Sequence, residues 1–208
     1  MSSANQVKIV DYGIGNRRSV EKAFERVGEP AKLTGDIQEL RNARGVVVPG
    51  VGAFAAAMKN LQERELDAAI RERALAGVPV LGICLGMQLL FEQSSENELT
   101  DGLGLIKGKV EKLQANGLKL PHIGWNQVTF TRSSPLAKGL PKQCAFYHVH
   151  SYAAQPTAEE DVLAFGEYGQ RFTSIIEHEH LFGVQFHPEK SSNNGLQLLK
   201  NFVEICSS

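Results

Sequence analysis

The sequence predicts an α/β protein: a mostly parallel central sheet flanked by helices, with an antiparallel extension in its second half. Three observations predict it. Runs that are apolar without alternation, such as RGVVV (44–48) and VPVLGI (78–83), need cover on both faces, as strands of a parallel sheet do. Between them lie segments whose apolar residues recur at helical spacing. From about residue 103 the runs become strand-like, joined by short polar or Gly-containing turns, which favours antiparallel pairing.

In chain order, Gln6 to Tyr12 (QVKIVDY) reads as a first strand ending in glycines. Asn16 to Val27 reads as a helix with Val20, Ala23, Phe24 and Val27 on one face, stopped by Gly28 and Pro30. Arg44 to Val48 is the next strand, ended by PGVG. Leu61 to Ala76 predicts one amphipathic helix with its charges on one side. Val78 to Ile83 is a further strand, and a helix begins over Leu85 to Phe91. Strands are then expected at Leu103 to Leu113, Gln127 to Phe130, Gln143 to Tyr152, Val162 to Tyr168, Phe172 to His178 and Leu181 to His187. Ser192 to Ile205 closes the chain as a helix with Leu196, Leu199, Phe202 and Val203 on one face. No repeat, low-complexity tract or linker interrupts this order. A single domain over residues 1–208 is expected, with length enough for one sizeable core.

Composition narrows the function classes. Hydrophobic residues make up 42% and charged residues 22%, as in ordinary globular proteins. A formal net charge of -1 provides no general attraction to nucleic acid or acidic membranes. No apolar run approaches the roughly 20 residues that span a bilayer. The start, MSSANQVKIVDYG, has no basic segment followed by an apolar one, so no signal peptide is expected. Three cysteines without CxxC spacing argue against a disulfide framework or a zinc ribbon and fit a reducing, cytoplasmic setting.

The stretch VLGICLGMQLLF (80–91) concentrates the chemistry. Gly82-Ile83-Cys84-Leu85-Gly86 has the spacing of a nucleophile elbow, with sulfur in place of oxygen. On a sharp strand-to-helix turn, neighbours two residues away must lack a Cβ, and the helix start favours a thiolate. The plain alternative is a small apolar core residue, which is how Cys144 and Cys206 read. His187 is the best partner, since Pro188 ends its strand and Glu189 lies two residues on. In an extended segment Glu189 shares a side with His187 and orients its ring, the logic of a triad. The N–H of Leu85 and the turn Pro49-Gly50-Val51-Gly52 would supply an oxyanion hole at the same sheet edge. His148 and His150 alternate on one strand, and His178 and His180 flank a turn. The first pair has no evident third ligand and the second reads as a solvated loop with charged neighbours, so no metal site and no cofactor are expected.

GICLGMQLLF (82–91), followed by GVQFHPEKS (183–191), resembles the triad (class I) glutamine amidotransferases. The resemblance implies Cys84 as nucleophile, His187 as acid and base, and Glu189 as the residue that orients it. Further blocks, DYGIGNRRSV (11–20), PGVGAF (49–54), PHIGWN (121–126) and YHVHSY (147–152), are similar to those glutaminase subunits of the family that serve histidine biosynthesis. Such a subunit hydrolyses glutamine through a thioester and passes ammonia to a cyclase partner, a (β/α)8 barrel, as a heterodimer. The likeness implies Gly50, Val51 and Gly52 at the oxyanion, Gln88, Ser151 and Tyr152 around the substrate, and Asn16, His122, Trp125, Asn126 and Lys190 at the partner interface. Arg17 and His148 depart from the pattern, standing where an apolar and an aromatic residue are expected. Rival readings are a glutaminase for another biosynthetic acceptor, or a cysteine redox sensor without catalysis.

Overall fold

Val46 and Val48 turn to one face of the central sheet and Val47 to the other, and all three are fully buried. Both faces of that strand are therefore covered, which is why its apolar run does not alternate. The computed structural model describes residues 6–208. Residues 1–5, part of the stretch read as lacking a signal peptide, lie outside the described residues.

The first half runs β1 (Val7–Val10), α1 (Arg17–Arg26), β2 (Lys32–Thr34), α2 (Ile37–Arg41), β3 (Gly45–Gly50), α3 (Phe54–Glu63), α4 (Leu66–Leu75), β4 (Val80–Cys84) and α5 (Leu85–Leu89). The second half runs β5 (Phe91–Ser94), β6 (Thr100–Asp101), β7 (Ile106–Lys112), β8 (His122–Phe130), β9 (Gln143–His150), β10 (Tyr152–Pro156), β11 (Val162–Tyr168), β12 (Gln170–His178), β13 (Leu181–Val184) and α6 (Ser192–Ile205). A nine-stranded sheet has the order β2-β1-β3-β4-β13-β12-β11-β8-β9. Its pairings are parallel from β2 to β13 and antiparallel from β13 to β9. A separate four-stranded sheet has the order β10-β7-β5-β6. On one face of the large sheet, Val20 and Phe24 of α1 pack with Leu198, Leu199 and Phe202 of α6. Phe54, Met58, Leu61, Leu66 and Ile70 of α3 and α4 fill the other. Among the described residues, no helix is long and apolar enough to cross a membrane.

Several expected elements differ: the strand read at Gln127 to Phe130 begins at His122, and the strand read to His187 ends at Val184. The helix read over Leu61 to Ala76 is two helices, broken at Glu65, whose φ is 56°. Leu61 and Leu66 are both fully buried. In one unbroken helix they would lie about 140° apart, so the break lets both face the core. The helix after Cys84 stops at Leu89. Backbone bonds to the 102–106 segment claim the next residues: Leu90 O accepts from Leu105 N (2.9 Å) and Ile106 N (3.0 Å). Phe91 therefore begins a strand. The run Gln143 to Tyr152 divides at Ser151, where the chain leaves the large sheet for the small one. The short elements β2, α2, β5 and β6 were not anticipated. For α2 a signal existed: Asp36 caps it, accepting from Gln38 N (2.7 Å) and Glu39 N (3.0 Å).

Candidate active site

Strand register brings the distant motifs together. Gly50 at the end of β3 lies opposite Cys84 at the end of β4, and Ile83 lies opposite Val184 at the end of β13. Three parallel strands thus end side by side, and their following turns share one edge. Cys84 itself takes the positive φ, with φ 55° and ψ −111°. That conformation is costly for a non-glycine residue and is held by its surroundings. The flanking glycines answer a different need. A Cβ on Gly86 would lie 1.7 Å from Val48 O, and one on Gly82 would lie 2.6 Å from Gly86 O and from Met87 backbone atoms. They permit close approach of backbones, while the strained angle falls on the cysteine.

His187 is held from several sides. Its N–H donates to Tyr147 O (2.9 Å), and its own carbonyl accepts from Ser191 Oγ (2.7 Å). Ser191 Oγ also accepts from Tyr147 N (2.9 Å), so one buried serine latches this turn to β9. Residues Pro188–Lys190 form a 3-10 turn, so the contact between His187 and Glu189 comes from a turn and not from an extended segment. Nδ1 of His187 donates to Glu189 Oε1 (2.9 Å), and the Glu189 side chain is 1% exposed. Asn16 Nδ2 donates to the same oxygen (3.3 Å). Burial alone would keep His187 neutral. Hydrogen bonds to Cys84 and Glu189, and the negative charges of both, outweigh it and raise the pKa to about 10. An unfolded histidine titrates near 6.5. The stabilisation from this proton is therefore complete below about pH 6.5 and is lost as pH rises through about 10. The expected result by NMR is a His187 imidazolium at about pH 7.5. Glu189→Gln should lower its pKa, because one anionic acceptor is removed; an unchanged value would show that Glu189 does not act on the ring.

A cavity of about 350 Å³ opens above the sulfur. Its lining includes Val51, Gly52, Cys84, Leu85, Gln88, Ser151, Tyr152 and His187, all singled out from the sequence. Gly50 lies buried beneath it, where a Cβ would meet the Tyr12 hydroxyl at 2.6 Å. That hydroxyl donates to Pro49 O (2.6 Å), anchoring the start of the glycine turn. Burial, then the neighbouring Cys84 charge, keeps the Tyr12 proton in place well above the usual range. As the first residue of α5, Leu85 has an N–H with no intrahelical partner.

Four lining residues escaped the sequence reading: Glu96, Pro121, Val149 and His150. So did Gln185, which is fully buried. Its Nε2 donates to Cys84 Sγ (3.9 Å), and its Oε1 accepts from Gln88 Nε2 (3.0 Å). Gln88 Nε2 also donates to Tyr152 O (3.1 Å). Both amide hydrogens of Gln88 are then engaged, and its oxygen is left for a ligand. The sequence held one signal for Gln185: it lies two residues before His187. The other cysteines do not line this cavity. Burial pushes the Cys144 thiol up to about 11 and the Cys206 thiol to about 12.

The expected interface residues separate. Trp125 is 56% exposed and, with Ile123 at 60%, forms an apolar outward face on β8. Lys190 is exposed, while Asn16 and Asn126 are half-buried. His122 is 3% exposed and stacks on Tyr168 with ring centroids 4.1 Å apart, so its ring faces inward in this chain. It faces inward because it lies opposite His150 across the β8–β9 pair. Of the two departures, Arg17 pairs with Asp11 beside α1. His148 is fully buried between Phe146 O (3.1 Å) and Ser174 Oγ (3.0 Å).

A family model described as glutamine amidotransferase class-I matches residues 8–206. The chain is 54% identical over 199 residues to the imidazole glycerol phosphate synthase subunit HisH of Moorella thermoacetica, covering 96% of this chain and 94% of that protein. It is 46% identical over 203 residues to the subunit of the same name from Methanosarcina barkeri, covering 97% and 99%. Among solved structures, the glutaminase domain of Trypanosoma brucei CTPS, with bound acivicin, shares the fold with a TM-score of 0.67 at 19% identity, over 96% of this chain and 92% of that one.

Proposed function

The chain belongs to the class-I glutamine amidotransferases, and from that premise we propose that it acts as the glutaminase subunit of an imidazole glycerol phosphate synthase, with Cys84, His187 and Glu189 as its triad. The observation that carries the roles is the junction at the sulfur. Cys84 sits on a strained strand-to-helix turn and lines one cavity with His187, whose ring a buried carboxylate orients.

Chemistry follows from the proton on His187. The Cys84 sulfur attacks the side-chain carbonyl carbon of glutamine, and the carbonyl oxygen takes up negative charge. The Leu85 N–H and the Gly50–Val51–Gly52 turn face that oxygen. His187 gives its proton to the leaving nitrogen, releasing ammonia and a glutamyl thioester. His187 then accepts a proton from water, which attacks the thioester, frees glutamate and restores the thiolate. Glu189 holds the ring in one orientation throughout. The free oxygen of Gln88 and the Glu96 carboxylate suit the substrate's ammonium group, and the Ser151–Tyr152 wall its carboxylate.

The relatives are named as subunits, so a partner receives the ammonia. We assign it as a (β/α)8-barrel cyclase that makes imidazole glycerol phosphate and aminoimidazole carboxamide ribonucleotide in histidine biosynthesis. Trp125 and Ile123 supply an exposed apolar anchor, with Asn16, Asn126 and Lys190 as polar contacts. Three free cysteines suit a reducing cytoplasm. The test is glutamine hydrolysis with and without the purified cyclase, followed by a binding assay. Hydrolysis coupled to product formation is expected; no hydrolysis in either setting overturns the reading. Trp125→Ala should weaken the complex about thirtyfold, about 2 kcal/mol, as loss of an aromatic anchor does.

A further inference from the structure

Three buried histidines stand beside the active site, and the mechanism uses none of them. Two form a chain with a single consistent assignment of hydrogens. His150 Nδ1 lies 2.9 Å from Tyr152 O, and a carbonyl only accepts, so this nitrogen carries hydrogen. In the neutral ring its Nε2 is then an acceptor. His122 Nδ1 lies 2.9 Å from that Nε2 and must be the donor. His122 Nε2 is in turn an acceptor, and Asn126 Nδ2 donates to it (3.2 Å). The second amide hydrogen of Asn126 goes to Glu167 O (2.9 Å), which fixes the amide's orientation. From Asn126 through His122 and His150, the linking hydrogens all point toward Tyr152 O, where Gln88 Nε2 also donates (3.1 Å). Burial lowers the pKa of His122 and brings that of His150 to about 4, so both rings are neutral at working pH.

We propose that His122 and His150 are positioning residues for glutamine: their one-way chain of hydrogen bonds anchors the Tyr152 carbonyl and sets the Ser151–Tyr152 wall and Gln88 in the binding geometry. At the passage from the nine-stranded to the four-stranded sheet, the Ser151 carbonyl is held by Leu113 N (2.9 Å), whereas the Tyr152 carbonyl takes its hydrogen bonds from the His150 and Gln88 side chains. His150 also lines the cavity. The chain ends at Tyr152 O and touches neither Cys84 nor His187, so its main effect is on binding. This inference rests on the glutaminase reading above.

Two measurements test it. In the wild-type protein, nitrogen-15 NMR should find both His122 and His150 with hydrogen on Nδ1 and none on Nε2; hydrogen on Nε2 of His150 overturns the proposal. That result does not depend on activity, so it separates this proposal from the glutaminase reading, which fails if the wild-type complex does not hydrolyse glutamine. In the complex, His122→Phe removes the donor to His150. It should raise KM for glutamine roughly tenfold with kcat within about twofold, while iodoacetamide alkylation of Cys84 is unchanged. His122→Asn, whose amide nitrogen can donate where Nδ1 stood, should restore most of the affinity. An unchanged KM in folded His122→Phe, or equal losses in the two variants, overturns the proposal.

Discussion

Cys84→Ala should abolish glutamine-dependent synthesis by the complex, a loss of about a thousandfold or more, while synthesis from added ammonium persists. The size follows from losing the nucleophile of a unit whose members act together. The contrast follows from the architecture. The sulfur lies beneath a cavity in this chain, whereas in the proposed function the step that consumes ammonia belongs to the partner. Alanine keeps the strained backbone position without the sulfur, so a folding control by thermal melt is part of the assay. Persistent glutamine-dependent activity would remove Cys84 as nucleophile. Loss of both activities in a folded complex would give it a structural role instead.

Gly86→Ala should be the most destabilising single methyl addition near the site, by about 3 kcal/mol or more. The added Cβ would sit 1.7 Å from Val48 O, and both β3 and α5 are backbone elements packed in the core. No rotamer relieves a clash between a Cβ and a carbonyl oxygen. The expected result is a lowered denaturant midpoint and, in any folded fraction, loss of the Cys84 geometry. Gly52→Ala is the informative comparison, because nothing lies within 4 Å of its Cβ position. Its strain would come only from its φ of 103°, so a smaller effect is expected. Equal effects in the two variants would show that close packing is not what requires Gly86.

Much of this site was legible because the motifs are local. Cys84 between two glycines, His187 before Pro188 and Glu189 two residues later each carry a short-range signal. Spacing nevertheless suggested the wrong geometry for one contact. A 3-10 turn, not an extended strand, brings Glu189 to His187. Likewise, the glycines are needed for backbone approach, while the positive φ belongs to Cys84. Gln185 and His150 passed unseen as site residues. Their role depends on amide and ring orientations set by Gln88, Tyr152 and His122, which are far from them in sequence or on another strand.

The amino-acid sequence by itself determined the α/β class, the covered parallel strands and which three groups to propose as a triad, because hydrophobic period and turn chemistry act over a few residues. Tertiary structure alone decided that the helix breaks at Glu65 between Leu61 and Leu66, where Leu90 hands over to a strand, and that His122 turns inward while Trp125 remains exposed. Those outcomes follow from cross-strand register and from backbone bonds between distant segments. Neither is encoded in the period of any one stretch, since the same residues would satisfy helix or strand, inside or outside, until their partners arrive.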